Sequence, residues 1–110
     1  MTVERHAMVV NVVPELREEY LRLHSAVWPQ VEATLSACHV TNYSIYLLEG
    51  TLFAYYEYLG EDHEADMARI AQDPVTQDWW TRTDPCQTPF GAGAKPGERW
   101  RDLREIWHLA

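Results

Sequence analysis

Tyr20, His24 and Trp28 recur at four-residue spacing in a helix-patterned stretch, and an adjacent indole pair, Trp79-Trp80, follows farther along the chain. Residues four apart stand one above the other on a helix, so a phenol, an imidazole and an indole share one stripe. Aromatic rings that stack on C–H faces while offering an O–H or N–H suit polyhydroxylated ligands. An ordinary imidazole titrates near pH ~6.5 and can therefore pass a proton at neutral pH, typically worth about 10²- to 10⁴-fold in rate. The combination reads as a sugar site with a proton donor beside it. Five Trp and six Tyr in 110 residues are also more aromatic surface than so small a core usually needs.

Each of these residues has a plainer reading. His24 could be a hydrogen-bonded core or surface histidine. Adjacent helix positions point about 100° apart, so at most one of Trp79 and Trp80 faces the core; the other needs a dimer interface or a pocket wall. His6, His39, His63 and His108 show no H-x-x-x-H, H-E-x-x-H or facial-triad spacing, so no metal site is expected. Asp62, Glu64 and Asp66 read as a solvated helix start that complements the helix dipole, with no part in catalysis. Without a G-x-G-x-x-G, a P-loop or a Ser-His-Asp signature, the usual dinucleotide, phosphoryl-transfer and hydrolase chemistries have no support.

The elements that must position these groups follow from periodicity. A Val-rich strand over Ala7 to Val13 ends at Pro14, which opens a helix. Leu16, Tyr20, Leu23, Val27, Val31 and Leu35 then recur at three- and four-residue steps, giving one buried face. Pro29 lacks an N–H and crowds the carbonyl four residues before it, which predicts a break around Val27 and Trp28. Tyr43 to Leu48 and Thr51 to Tyr58, joined by Glu49-Gly50, form the best hairpin. A two-residue loop puts Tyr43, Ile45, Leu47, Leu52, Ala54 and Tyr56 on one face, and Ser44, Tyr46, Phe53, Tyr55 and Glu57 on the other.

Farther on, Glu61 to Ala71 reads as a helix with Ala65, Met67, Ala68 and Ile70 inward. Asp73-Pro74 supplies the N-cap and first position of another, ending near Trp80. A Pro- and Gly-rich loop spans about 83–99, and Asp102 to Leu109 closes the chain as a strand. Strand, helix, strand, strand, helix pair, strand is the order of a split βαβ, ferredoxin-like α+β fold: an antiparallel sheet with helices on one face. The bare sheet face calls for a second copy of the chain, a dimeric α/β-barrel arrangement.

Length and charge narrow the partners. With 110 residues and no visible linker, residues 1–110 read as one domain with a thin core. Nine Lys and Arg against 17 Asp and Glu give a net charge of −8, and the basic residues are dispersed. That argues against nucleic acid and anionic membranes and favours a neutral small molecule. The N-terminal stretch has neither a signal-peptide core nor a membrane-spanning length, so a cytoplasmic location is expected. Cys38 and Cys86 read as plain thiols.

Glu19-Tyr20-Leu-Arg-Leu-His24-Ser-Ala-Val-Trp28-Pro29, Asn42-Tyr43-Ser-Ile-Tyr46-Leu, Leu52-Phe53-Ala54, Trp79-Trp80 and Leu103-Arg-Glu105-Ile-Trp-His108-Leu109 together resemble the L-rhamnose mutarotase family over nearly the whole chain. The resemblance implies a dimeric ferredoxin-like fold, no cofactor, and interconversion of the α and β anomers of L-rhamnose or a related L-deoxy sugar. It maps the family's acid onto His24, its substrate-contacting tyrosines onto Tyr20 and Tyr43, and its tryptophan pair onto Trp79 and Trp80. On this reading His24 donates to the ring oxygen, Tyr20 or Tyr43 orients a hydroxyl or relays the second proton, and an indole packs the apolar side of the sugar. Trp28 moves towards a structural role beside Pro29.

The chain departs from the pattern after the Trp pair. Common members continue with an Asn-Pro-Asp-type segment, whereas this chain has Thr83-Asp84-Pro85-Cys86-Gln87 and a longer Gly/Pro excursion. Loops of this kind commonly set specificity. Two other functions suit the same residues: a cofactor-independent oxygenase or polyketide cyclase of the same dimeric fold, and a module that binds a sugar without turning it over.

Overall fold

The computed structural model describes residues 2–95 and 98–110. Pro96 and Gly97, part of the loop expected over 83–99, lie outside the described residues. The elements run β1 (Glu4–Val12), a 3-10 turn (Pro14–Leu16), α1 (Arg17–His24), α2 (Pro29–Ala37), β2 (Val40–Leu48), β3 (Thr51–Tyr58), α3 (His63–Gln72), α4 (Pro74–Thr83), a second 3-10 turn (Asp84–Cys86), β4 (Gln87–Thr88) and β5 (Arg101–Asp102). The sheet is antiparallel in the order β2-β3-β1-β4, with β5 also on β1. This is the ferredoxin-like α+β arrangement, curled into a half-barrel with helices on one face.

Proline places the breaks. Pro14 opens the first 3-10 turn, Pro29 opens α2 after an extended Trp28, and Pro74 opens α4 behind an Asp73 side chain that accepts from the Thr76 N–H at 2.9 Å. A proline at a helix start loses no hydrogen bond, because that N–H has no helical partner anyway. The expected long helix is therefore split between His24 and Pro29. Its stripe is inward on both halves: Tyr20, Leu23 and Val31 are buried, and Leu16, Val27 and Leu35 pack against them.

The hairpin turns at Glu49-Gly50 with Leu47 opposite Leu52 and Ile45 opposite Ala54, so the helix-facing set is the one expected. The register shifts between Thr41 and Ser44, where Asn42 has φ 49°. Asparagine tolerates this left-handed conformation better than most residues. The irregularity lets the Tyr43 ring reach within 5.5 Å of Tyr56.

Three expectations change. Only Arg101 and Asp102 pair as the closing strand, and Leu103 adds one N–H bond to the Ala7 carbonyl. Pairing therefore stops opposite Met8 and Ala7, although β1 continues to Glu4, and beyond it the tail is held beside β1 by the Arg5–Glu105 ion pair. Ile106, Trp107 and Leu109 are exposed. On α3, Ala65 and Ala68 face outward, and Asp66 and Ile70 face inward beside Met67. Asp66 is thus no solvated charge: it is 6% exposed and accepts from the Tyr58 hydroxyl, the Arg69 guanidinium and His39 Nδ1. Finally, α4 extends past Trp80 to Thr83, and the first part of the expected loop is ordered as a 3-10 turn and β4.

The sheet face away from the helices carries Val9, Phe53 and Tyr46 in one row, with Leu48 beside them. Phe53, Tyr46 and Leu48 are 36%, 62% and 66% exposed. Among the described residues no helix is long and apolar enough to cross a membrane.

Candidate active site

Between the helices and the sheet lies a cavity of about 870 Å³. His24, the last residue of α1, reaches it from one side with Tyr20 one turn earlier. The carbonyl of Tyr20 can only accept, so the 2.9 Å contact with His24 Nδ1 makes Nδ1 the protonated nitrogen. That bond leaves Nε2 as the atom for proton exchange. The imidazole is held between the Tyr20 ring, 4.3 Å away, and the edge of Trp79, 5.5 Å away.

Tyr20 is itself buried, and its hydroxyl accepts from the Gln87 amide at 3.3 Å. Burial pushes its phenol up to about 12, so it enters any reaction as a neutral O–H. Tyr43 stands across the cavity on β2. Burial raises its phenol as well, although the residue is 41% exposed once cavity surface is counted. The structure thus brings Tyr20, His24, Tyr43, Trp79 and Trp80 to the lining of one cavity.

The two indoles differ in burial. Trp79 is 5% exposed and packs with Leu23 and Val31, and the Trp28 ring meets it at 5.2 Å near an edge-on angle. Trp80 is 37% exposed and lines the cavity. Trp28 holds Trp79 in place and carries the Arg82 guanidinium 5.2 Å above its own ring.

The site also holds groups that sequence spacing does not reveal. Gln87 hydrogen-bonds Tyr20 from β4, and the rim adds Trp100, Asp102 and an Arg99–Asp84 ion pair at 3.5 Å. These sit far from the α1 motif in sequence and meet it only because β4 and β5 both join β1. Tyr56 also lines the cavity, on the face where the expected hairpin register puts it. No group of three or more His, Cys, Asp or Glu among the described residues could hold a metal ion.

The family model described as L-rhamnose mutarotase matches residues 5–109. The chain belongs to the L-rhamnose mutarotase family. It is 33% identical to the L-rhamnose mutarotase of Listeria monocytogenes serotype 4b (strain F2365), covering 97% of this chain and 99% of that protein. With the L-rhamnose mutarotase of Escherichia coli O1:K1 / APEC it shares 38% identity over 96% and 97% of the two chains. In three dimensions it resembles the crystal structure of L-rhamnose mutarotase from Formosa agariphila, at TM-score 0.75 and 21% identity, covering 97% and 99%. The tetracenomycin F2 cyclase of Streptomyces glaucescens shares the fold at TM-score 0.65 and 14% identity, over 97% and 99% of the chains. That second likeness concerns the fold alone. Where the chain departs from the family pattern, Asp84 and Gln87 line the cavity, and Gln87 reaches the Tyr20 hydroxyl.

Proposed function

We propose that this protein interconverts the α and β anomers of L-rhamnose or a related L-deoxy sugar without a cofactor, with His24 as the acid. The observation that carries the reading is the His24 Nδ1 bond to the Tyr20 carbonyl, which dedicates Nε2 to proton exchange beside an aromatic-walled cavity. The names of the relatives favour the same substrate.

Ring opening needs a proton on the ring oxygen and the loss of one from the anomeric hydroxyl. Protonated His24 delivers the first through Nε2 as the bond from C1 to the ring oxygen breaks. The anomeric oxygen becomes a carbonyl, the C1–C2 bond rotates, and closure on the other carbonyl face gives the second anomer. Tyr20 and Tyr43 orient sugar hydroxyls, and the exposed Trp80 indole packs the apolar side. Such a reaction asks for positioning more than for chemical power.

The working form in this reading is a cytoplasmic homodimer. Its support is the apolar row Tyr46, Phe53 and Leu48 on the bare sheet face, together with the unpartnered Ile106, Trp107 and Leu109 of the tail. Saturation-transfer NMR on L-rhamnose, L-fucose and a set of D-sugars tests the activity. Accelerated exchange of an L-deoxy sugar is expected, and no acceleration on any of them would overturn the reading.

A further inference from the structure

A phenol relays a proton only if something takes its own. Three tyrosines line the cavity. Among the described residues, Tyr20 receives a hydrogen bond from Gln87 but has no base behind it, and Tyr43 has none either. Tyr56 differs: its Oη lies 2.6 Å from His63 Nε2, at the first residue of α3.

The surroundings keep both partners of that bond neutral at rest. Burial, and after it the neighbouring His6, holds the His63 imidazole below its ordinary value, so the resting ring is neutral. Tyr56, pushed up to about 12 by its own burial, keeps its proton. A neutral imidazole has one accepting nitrogen, and in the Nδ1–H tautomer that nitrogen is Nε2, to which the phenol donates. His6 stacks on His63 with centroids 4.1 Å apart and planes within 11°, which fixes the imidazole plane, and the Glu4 carboxylate lies 3.5 Å from His6 Nε2. The charges of Glu4, Asp102 and Asp66 favour a proton that arrives on His63, against burial and His6. Tyr43, whose ring is 5.5 Å from Tyr56, lines the same cavity as Tyr20, His24 and Tyr56, so the phenol of the dyad and the His24 group share one compartment.

We propose that Tyr56, backed by His63, is the second proton-transfer group of this site and receives the proton of the anomeric hydroxyl. The proposal rests on the mutarotase reading above. As His24 gives its proton to the ring oxygen, the bond from that oxygen to C1 breaks and its electron pair stays on oxygen. The anomeric O–H pair becomes the second bond of the carbonyl, its proton moves to Tyr56 Oη, and the Tyr56 proton moves to His63 Nε2. The open form thus faces a neutral His24 and a protonated His63. Closure on the opposite carbonyl face runs the same transfers backwards and restores both histidines.

The test compares wild type with Tyr56→Phe, His63→Gln and the double variant by saturation-transfer NMR across sugar concentrations. Each single variant is expected to lower kcat by about 10²-fold, the low end for one proton-transfer group, with KM unchanged. The double variant is expected to be no slower than Tyr56→Phe, because groups acting as a unit are not additive. A wild-type kcat for Tyr56→Phe, a normal kcat for His63→Gln, or a loss confined to KM would each overturn the dyad. Histidine ¹⁵N NMR of the unmodified protein gives a second readout that needs no variant to fold: His63 Nε2 must be unprotonated at neutral pH, and a proton found there overturns the proposal. An active wild type with an equally active Tyr56→Phe removes only the dyad, whereas a wild type without exchange on any sugar removes the mutarotase reading itself.

Discussion

His24 Nδ1 donates to the backbone carbonyl of Tyr20, one helical turn back, at 2.9 Å. The bond ties the orientation of the imidazole to the backbone of α1, so the ring is placed by the helix rather than by a flexible side-chain partner. Nε2 is then the only ring nitrogen left for substrate. Removing the ring is expected to lower exchange by about 10²- to 10⁴-fold while sparing the fold, because His24 ends its helix and is only half-buried. His24→Ala measured by saturation transfer and by thermal unfolding checks this. A wild-type exchange rate in a folded variant would remove His24 as the acid.

Trp79 and Trp80 should separate stability from binding. Trp79 is 5% exposed among Leu23, Val31, Trp28 and His24, so Trp79→Ala is expected to cost about 3–5 kcal/mol, as for a buried aromatic that leaves a cavity. Trp80 is 37% exposed, and its replacement by Ala should change stability little and raise KM by about tenfold, equivalent to ~1.4 kcal/mol. Urea unfolding beside sugar titration distinguishes them. Equal losses of stability in the two variants would contradict the division of labour.

Much of the scaffold is legible in the sequence because its signals are local. Pro14, Pro29 and Pro74 mark helix starts, Glu49-Gly50 sets the hairpin register, and the Tyr20–His24 spacing puts phenol and imidazole on one stripe. What escapes is what distant segments do to one another. Asp62, Glu64 and Asp66 look alike as charges, yet Asp66 alone points inward, because Tyr58 and His39 arrive from elsewhere to satisfy it. Gln87 on Tyr20 and His63 on Tyr56 are equally non-local. The closing strand expected over Asp102 to Leu109 pairs only at Arg101–Asp102, because pairing is a long-range contact with β1 that the tail's own residues do not determine.

Asp66 makes acid sensitivity predictable. Hydrogen bonds from Tyr58 first, then Arg69 and His39, hold its carboxyl well below the usual carboxylate range. An unfolded Asp titrates near pH ~3.9, so at acid pH the unfolded chain binds the proton more readily than the folded one. The stabilisation is complete at neutral pH and is lost as pH falls through ~4 towards the folded value. Asp66→Asn should therefore be less stable than wild type at neutral pH, with the gap closing in acid. Unfolding in urea at neutral pH and near pH ~3 measures it, and a gap independent of pH would contradict the account. Gly60→Ala should strain the same cluster, since a Cβ there collides with the Tyr58 hydroxyl; overpacking of this kind typically costs ~1–3 kcal/mol.

The tail offers the sharpest test of self-association. Arg5 holds Glu105 through its Nε at 3.0 Å and its Nη2 at 3.3 Å, so the chain is guided along β1 up to this point and then released with Ile106, 89% exposed, and Trp107, 76% exposed. Two large apolar side chains in succession on an anchored strand gain nothing from water. On the bare sheet face Tyr46, Leu48 and Phe53 are exposed in the same way, and a second copy would cover both surfaces by a two-fold operation. Ile106→Glu with Trp107→Glu should therefore shift the protein from dimer to monomer in sedimentation velocity. Phe53→Glu on the sheet face should do the same, since burying one uncompensated carboxylate is disfavoured by several kcal/mol. If wild type sediments as a monomer at micromolar concentration, or if the tail variant stays dimeric while Phe53→Glu dissociates, the tail is not part of the interface. In the first case the bare sheet face has no second copy to cover it either.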